Sequence, residues 1–415
     1  MTKKKLNHGL AYLIIMILFT TIFFSFNMKT ANAATGNDYP IVFVYGFFGW
    51  GKEDMPDYNY WGGKNDILKD LTDKGFTVMS ATIGAVSSDW DRACELYYYI
   101  KGGTVDYGAA HSAENGHARY GKTFPGIYPQ WDGTSKIHLI GHSMGGNTIR
   151  LLVELLKNGD KNEQNYYASH QSEGISPLFE GGKSWVESIT TLATPLNGAT
   201  FANYVVKNLQ AEGIVMLAGA ALGSNITKMT LDLKLDQWGL KRSKDESLVD
   251  FIIDAENSNA WKSNDNALAD LTTDGVKKLN DMTTTYSDIY YFSYNGNASI
   301  RNPFSGYYLP NKIDLTTSTL SSIIIGRYKQ NNELPNGDKA WWKNDTTVSV
   351  ISAQYPFGEA HKAYDGIMEK GIWMVNATME NWSHRDFIAG GTRQSYSNVL
   401  NLYVKIATNL KNLQK

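Results

Sequence analysis

The sequence predicts an α/β fold, with a mostly parallel central sheet flanked by helices. Three observations carry that expectation. Short continuous apolar runs recur at residues 41–44, 76–83, 137–140, 188–192 and 289–293. Unbroken runs mark strands covered on both faces, as in a parallel sheet, whereas alternation marks a sheet with one wet face. Between the runs lie helical patterns, clearest over 145–158, where Ile149, Leu152, Val153 and Leu156 fall at helical spacing. A further apolar run at 372–378 adds a late strand. Strand and helix in alternation along one chain give α/β architecture.

The chain begins with a basic cluster, Lys3, Lys4 and Lys5, then an apolar stretch over 11–26, then Ala31-Asn32-Ala33. That order reads as a signal peptide over 1–33, which predicts a secreted protein without stable membrane insertion after cleavage. The leader holds four lysines and no acid, so the remainder is more acidic than the full chain's net charge of −2. Such a balance suits nucleic acid poorly. No internal repeat or low-complexity linker divides 34–415, which predicts a single domain. The lone Cys94 excludes an internal disulfide, so stability must come from the core or from a metal. Residues 211–222 are almost wholly apolar, rich in Ala and Gly, and too short to span a membrane. On composition they are either a buried core helix or a mobile lid over an apolar site.

The chemistry begins at Ile137-His138-Leu139-Ile140-Gly141-His142-Ser143-Met144-Gly145-Gly146. A strand, a tight turn of small residues and a helix surround G-x-S-x-G, the setting of the α/β-hydrolase nucleophile elbow. Ser143 is the candidate nucleophile. An oxyanion hole needs two backbone N–H groups. The expected donors are Met144, directly after the nucleophile, and Phe47, in the loop that follows the first strand.

A general base must follow. In this fold the order is nucleophile, acid, histidine. His8 leaves with the leader, and His138 and His142 lie on the nucleophile strand and turn, too constrained to reach round to Ser143. His170 precedes any plausible acid strand, and His361 reads as part of a polar loop. His384, after the last predicted strand, is the expected base. The orienting acid is Asp345, in Asn344-Asp345-Thr346-Thr347, or Asp365. The pattern leaves both open.

These motifs resemble the secreted true lipases of the Geobacillus and Staphylococcus group, over essentially the whole chain after the leader. The likeness includes Gly46-Phe47-Phe48-Gly49-Trp50-Gly51, Tyr60-Trp61-Gly62-Gly63, Ser88-Asp89-Trp90-Asp91-Arg92 and Leu235-Asp236-Gln237-Trp238-Gly239. It implies an α/β-hydrolase fold with a helical lid at about 200–232 and an extra zinc-binding zone. It aligns Ser143, Asp345 and His384 with the family's triad, and Phe47 and Met144 with its oxyanion hole. By spacing alone His111 and His117 are exposed loop histidines. The resemblance instead makes them ligands of a structural zinc, with Asp91 and Asp265. A calcium is also implied near the base, with Asp386 as a ligand, but Gly391 and Thr392 stand where relatives carry Asp-Pro. That site is therefore weakened, rebuilt from other oxygens or absent. A second departure is Tyr45 before Gly46, where relatives carry His.

The implied activity is triacylglycerol hydrolysis at an oil–water interface through an acyl-enzyme. Carboxylesterase or phospholipase activity on the same triad is the nearest alternative. A non-catalytic binding module on this fold is the alternative of a different class.

Overall fold

In the computed structural model, residues 37–55, 57–209, 232–243, 246–313 and 317–414 are described. The predicted leader and the apolar run at 211–222 lie outside them. Asp38–Leu410 forms one compact unit. Separately, Asn37 is held to the C-terminal residues by its N–H on the Lys411 carbonyl, at 2.9 Å. Among the described residues no helix is long and apolar enough to cross a membrane.

The central sheet has seven strands. They are β1 (Ile41–Val44), β2 (Val78–Ser80), β3 (Ile137–His142), β4 (Val186–Leu192), β5 (Tyr290–Tyr294), β6 (His361–Ala363) and β7 (Trp373–Val375). In space they run β6-β7-β5-β4-β3-β1-β2, and every neighbouring pair is parallel. Parallel pairing needs covered crossovers, and the helices α1 (Asp89–Lys101) and α2 (Ala109–Asn115) fall in one of them. The helix α3 (Met144–Asn158) forms the next crossover and buries Ile149, Leu151, Leu152, Val153, Leu155 and Leu156. Each fully buried Leu or Ile contributes roughly 1.5–3 kcal/mol by leaving water.

β1, β3 and β4 are buried along their whole length, and β4 carries Glu187, Ser188, Thr190 and Thr191 within that buried stretch. The predicted run 76–83 is strand only over Val78–Ser80. Beyond it the Tyr45 hydroxyl takes over the backbone of Ile83, accepting its N–H at 2.8 Å and donating to its carbonyl. A side chain thus replaces the ladder there. His361 is a correction of another kind: it lies in edge strand β6 rather than in a loop, exposed and stacked on Tyr355.

The chain leaves β1 toward β2 and returns on the other side of β1 to β3. The sheet order therefore reverses between β1 and β3, and the carboxyl ends of such a pair form a crevice. The register pairs Val44 with Gly141, which sets the loop after β1 beside the turn after β3.

Candidate active site

Ser143 stands in the turn between β3 and α3 with φ 54° and ψ −132°, a conformation strained for any residue with a Cβ. The sequence accommodates it by removing neighbouring side chains. A Cβ on Gly145 would meet the Val44 carbonyl oxygen at 2.2 Å, and one on Gly141 would meet the Gly145 backbone at 2.5 Å. Gly46 approaches just as closely, since its Cβ would fall 2.6 Å from that of Ser143. The first amide beyond Gly46 is that of Phe47. Among the described residues no acceptor takes the backbone N–H of Phe47 or of Met144. Two donors beside Ser143 are therefore uncommitted. Tyr45, directly before Gly46, turns its side chain into the core. The buried Arg92 guanidinium donates to the carbonyls of Tyr45 and Gly84 and to Thr148 Oγ1, which ties the end of β1 to α3.

His384 opens a short 3₁₀ turn, His384–Ile388, after β7. Its Nδ1 lies 2.9 Å from Asp345 Oδ2, and its backbone N–H donates to the Asp345 carbonyl at 2.7 Å. Asp345 is 1% exposed, and its other oxygen accepts the N–H groups of Thr347 and Val348 at 2.9 and 2.7 Å. Four hydrogen bonds thus fix the acid and the imidazole together. Asp365, the rival acid, is about half exposed and accepts the Ile367 N–H instead. Ser143 and His384 line one pocket, whose other walls include Phe47, Phe201, Leu271, Val348 and Ile388. With Nδ1 held by a carboxylate, Nε2 is the nitrogen left to take a proton.

A second cluster joins Asp91 of α1, His111 of α2, His117 just past α2, and Asp265. One ligating atom from each lies within 4.8 Å of all the others. His111 Nε2 is 3.5 and 3.3 Å from Asp91 Oδ1 and Asp265 Oδ2, and His117 Nε2 is 3.8 and 3.3 Å from the same pair. All four atoms are buried without a hydrogen-bond partner. The remaining polar atoms are partly engaged: Gln237 Nε2 donates to Asp91 Oδ2 at 2.7 Å, and His117 Nδ1 lies 2.9 Å from the Ala118 carbonyl. The His117 contact leaves the Nε2 lone pair inward. Metal bonds of about 2.0–2.1 Å in a tetrahedron separate ligand atoms by about 3.3 Å, and the four His–Asp separations of 3.3–3.8 Å lie near that value while the whole set spans 4.8 Å. It could bind a metal. Glu163, which the sequence did not single out, accepts the N–H groups of Ala110 and His111 and so caps α2 from outside.

The calcium expectation does not fit these residues. Asp386 Oδ2 accepts the N–H and hydroxyl of Ser383 at 2.7 and 2.5 Å, and Oδ1 accepts the N–H groups of Arg393 and Gln394 at 3.0 and 3.1 Å. Four protein donors occupy the carboxylate that a hard cation would need. A Cβ at Gly391 would lie 2.2 Å from Asp386 Oδ1, so glycine at this position is what lets the loop close on the carboxylate.

Residues 37–415 match the family described as Lipase-like, C-terminal domain. The chain is 43% identical to Lipase 2 of Staphylococcus aureus over 359 residues, 85% of this chain and 50% of that protein. It therefore spans about half the length of the curated relatives it matches. EstA from Clostridium botulinum superposes with a TM-score of 0.84 at 39% identity, covering 93% of this chain and 90% of that one. Staphylococcus hyicus lipase does so with a TM-score of 0.78 at 37% identity, covering 92% and 98%.

Proposed function

Because the chain belongs to the lipase-like C-terminal domain family, we propose that it is a secreted triacylglycerol lipase working through Ser143, His384 and Asp345. One observation carries the reading. A serine held at positive φ shares an apolar pocket with a histidine whose other ring nitrogen is 2.9 Å from a buried carboxylate. His384 takes the proton of Ser143 as Oγ attacks the ester carbonyl, and Asp345 holds the ring and stabilises its protonated form. The uncommitted amides of Phe47 and Met144 stabilise the tetrahedral oxyanion. His384 then returns the proton to the leaving alcohol, and water repeats the sequence on the acyl-enzyme. The apolar wall of the pocket supports a fatty acyl group as the part of the substrate held there.

Asp91, His111, His117 and Asp265 would hold a structural zinc, which the mixed nitrogen and oxygen donor set supports. When bound it would clamp α1, α2 and the segment around Asp265 together. The apolar composition of 211–222 supports a lid over about 200–232 that opens toward an oil surface. The basic, apolar and Ala-x-Ala order of 1–33 supports secretion.

Replacing Ser143 by Ala tests the reading. Turnover of emulsified long-chain triglyceride falls to background, while circular dichroism stays native. Undiminished turnover refutes it. On the intact enzyme, no rise in rate from soluble short-chain to emulsified long-chain esters favours a plain carboxylesterase, and faster phospholipid turnover favours a phospholipase.

A further inference from the structure

Three loops must meet at Ser143: the oxyanion loop after β1, the elbow after β3 and the base turn at His384. A buried hydrogen-bond chain joins all three. The Gly46 N–H donates to Tyr60 Oη at 3.0 Å, Tyr60 Oη lies 2.7 Å from His142 Nδ1, and His142 Nε2 lies 3.1 Å from the His384 carbonyl oxygen. Tyr60 and His142 are 6% and 2% exposed.

The proton positions follow from chemistry alone. Gly46 supplies a hydrogen, so the Tyr60 hydroxyl hydrogen is free to point at His142 Nδ1. The His384 carbonyl has only lone pairs, so His142 Nε2 must carry the ring proton. One neutral tautomer satisfies every contact. Burial, with the His384 charge beside it, pushes His142 well below its ordinary range, which keeps that tautomer through neutral pH.

Resting on the lipase reading above, we infer that Tyr60 and His142 are positioning residues for the reaction, acting through this chain rather than on substrate. Gly46 is the residue that abuts Ser143, and its peptide leads into the Phe47 amide. His142 precedes Ser143 and grips the base's own carbonyl, while Asp345 grips the base's N–H from the other side. The chain therefore sets the spacing of oxyanion donor, nucleophile and base, where an error of about 1 Å can cost about 100-fold.

The test compares wild type, Tyr60→Phe, His142→Gln and the double variant on a soluble ester. A fluorophosphonate counts reactive Ser143 in each, and thermal melting is recorded. In Tyr60→Phe, kcat per labelled site falls about tenfold with KM within about twofold, because one link of the chain is lost and the loops relax only in part. The double variant falls no further than the worse single, since both residues act through one chain. An unchanged kcat per labelled site in Tyr60→Phe, with any loss confined to labelled fraction or melting temperature, overturns the inference. That decision holds even if His142→Gln does not fold. If wild type turns over ester without labelling at Ser143, the lipase reading itself fails and the inference with it.

Discussion

Chelation of the Asp91–His111–His117–Asp265 cluster should lower thermal stability and leave initial activity intact. Four buried polar atoms face one another there without partners. Leaving a buried donor or acceptor unsatisfied costs about 1–3 kcal/mol, so four set an upper range of about 4–12 kcal/mol. Protons offset part of this: burial pulls His111 down, but the Asp265 and Asp91 carboxylates beside its ring push it up to about 10. The low end, about 4 kcal/mol, is the appropriate figure, equal to the linkage expected for a metal at about 1,000 times its Kd. For domains of 150–250 residues 1 kcal/mol moves Tm by about 2–4 °C, and a longer chain moves less. The expected fall is therefore about 5–10 °C. Melting is followed by scanning fluorimetry with a strong chelator, then with zinc restored, beside initial rates on a soluble ester at 25 °C. None of the four residues lines the Ser143 pocket, so the initial rate should not change. Immediate loss of activity in a still-folded protein would refute the structural role. An unchanged Tm after the metal has gone would refute the energetic argument.

Saturating calcium should change neither Tm nor rate, because protein donors fill the Asp386 carboxylate, whereas Asp386→Ala strands those donors and should cost about 3 kcal/mol or more by denaturant titration. A calcium-dependent rise in Tm would contradict this. Asp345→Asn should reduce kcat by about 10³–10⁴. The amides of Thr347 and Val348 hold the Asn oxygen, so its NH₂ faces His384 Nδ1 and forces the proton onto Nε2; steady-state rates across pH check this. His138, pushed down to about 3 by burial, is neutral when folded and takes a proton when unfolded below about 6.5. Its contribution is thus full above about 6.5 and is lost as pH falls toward 3, at no more than about 1.4 kcal/mol per pH unit. His138→Gln should flatten that slope in urea titrations at pH 4 and 7, and an unaltered slope would assign the acid sensitivity elsewhere.

The sheet was legible where strands are buried on both faces. The runs around β1, β3, β4 and β5 differ from the observed strands by a few residues at most, and all four strands are buried along their length. Edge elements were harder to read. β6 carries an exposed His361 and a short polar sequence, so nothing in its composition distinguishes strand from loop. The antiparallel pair of Gly103–Asp106 with Tyr120–Phe124, which brackets α2, carries no strong alternation either.

At the site, the elbow could be read because its chemistry is local: glycines, serine, strand and helix are contiguous. Asp345 and Asp365 could not be separated by residue pattern, since both sit in Asx-type turns; only the fold brings one of them to His384. His142 was set aside as the base on its position alone, and its bond to the His384 carbonyl, which spans 242 positions, left no sequence signal. Tyr60 entered only within a motif of the family resemblance, Tyr60-Trp61-Gly62-Gly63, with no role assigned to its hydroxyl. The Asp386 loop departs from the expectation for a short-range reason, a glycine at 391, but four hydrogen bonds in place of a cation are visible only in three dimensions.

The central claim is that Ser143 is the nucleophile of an ester hydrolase. Its most direct test is mass-spectrometric mapping of a fluorophosphonate adduct, with residual hydrolysis measured as labelling proceeds. The account predicts a single adduct on Ser143, activity lost in proportion to its occupancy, and no labelling of Ser143→Ala. Hydrolysis that persists with Ser143 fully modified would contradict it.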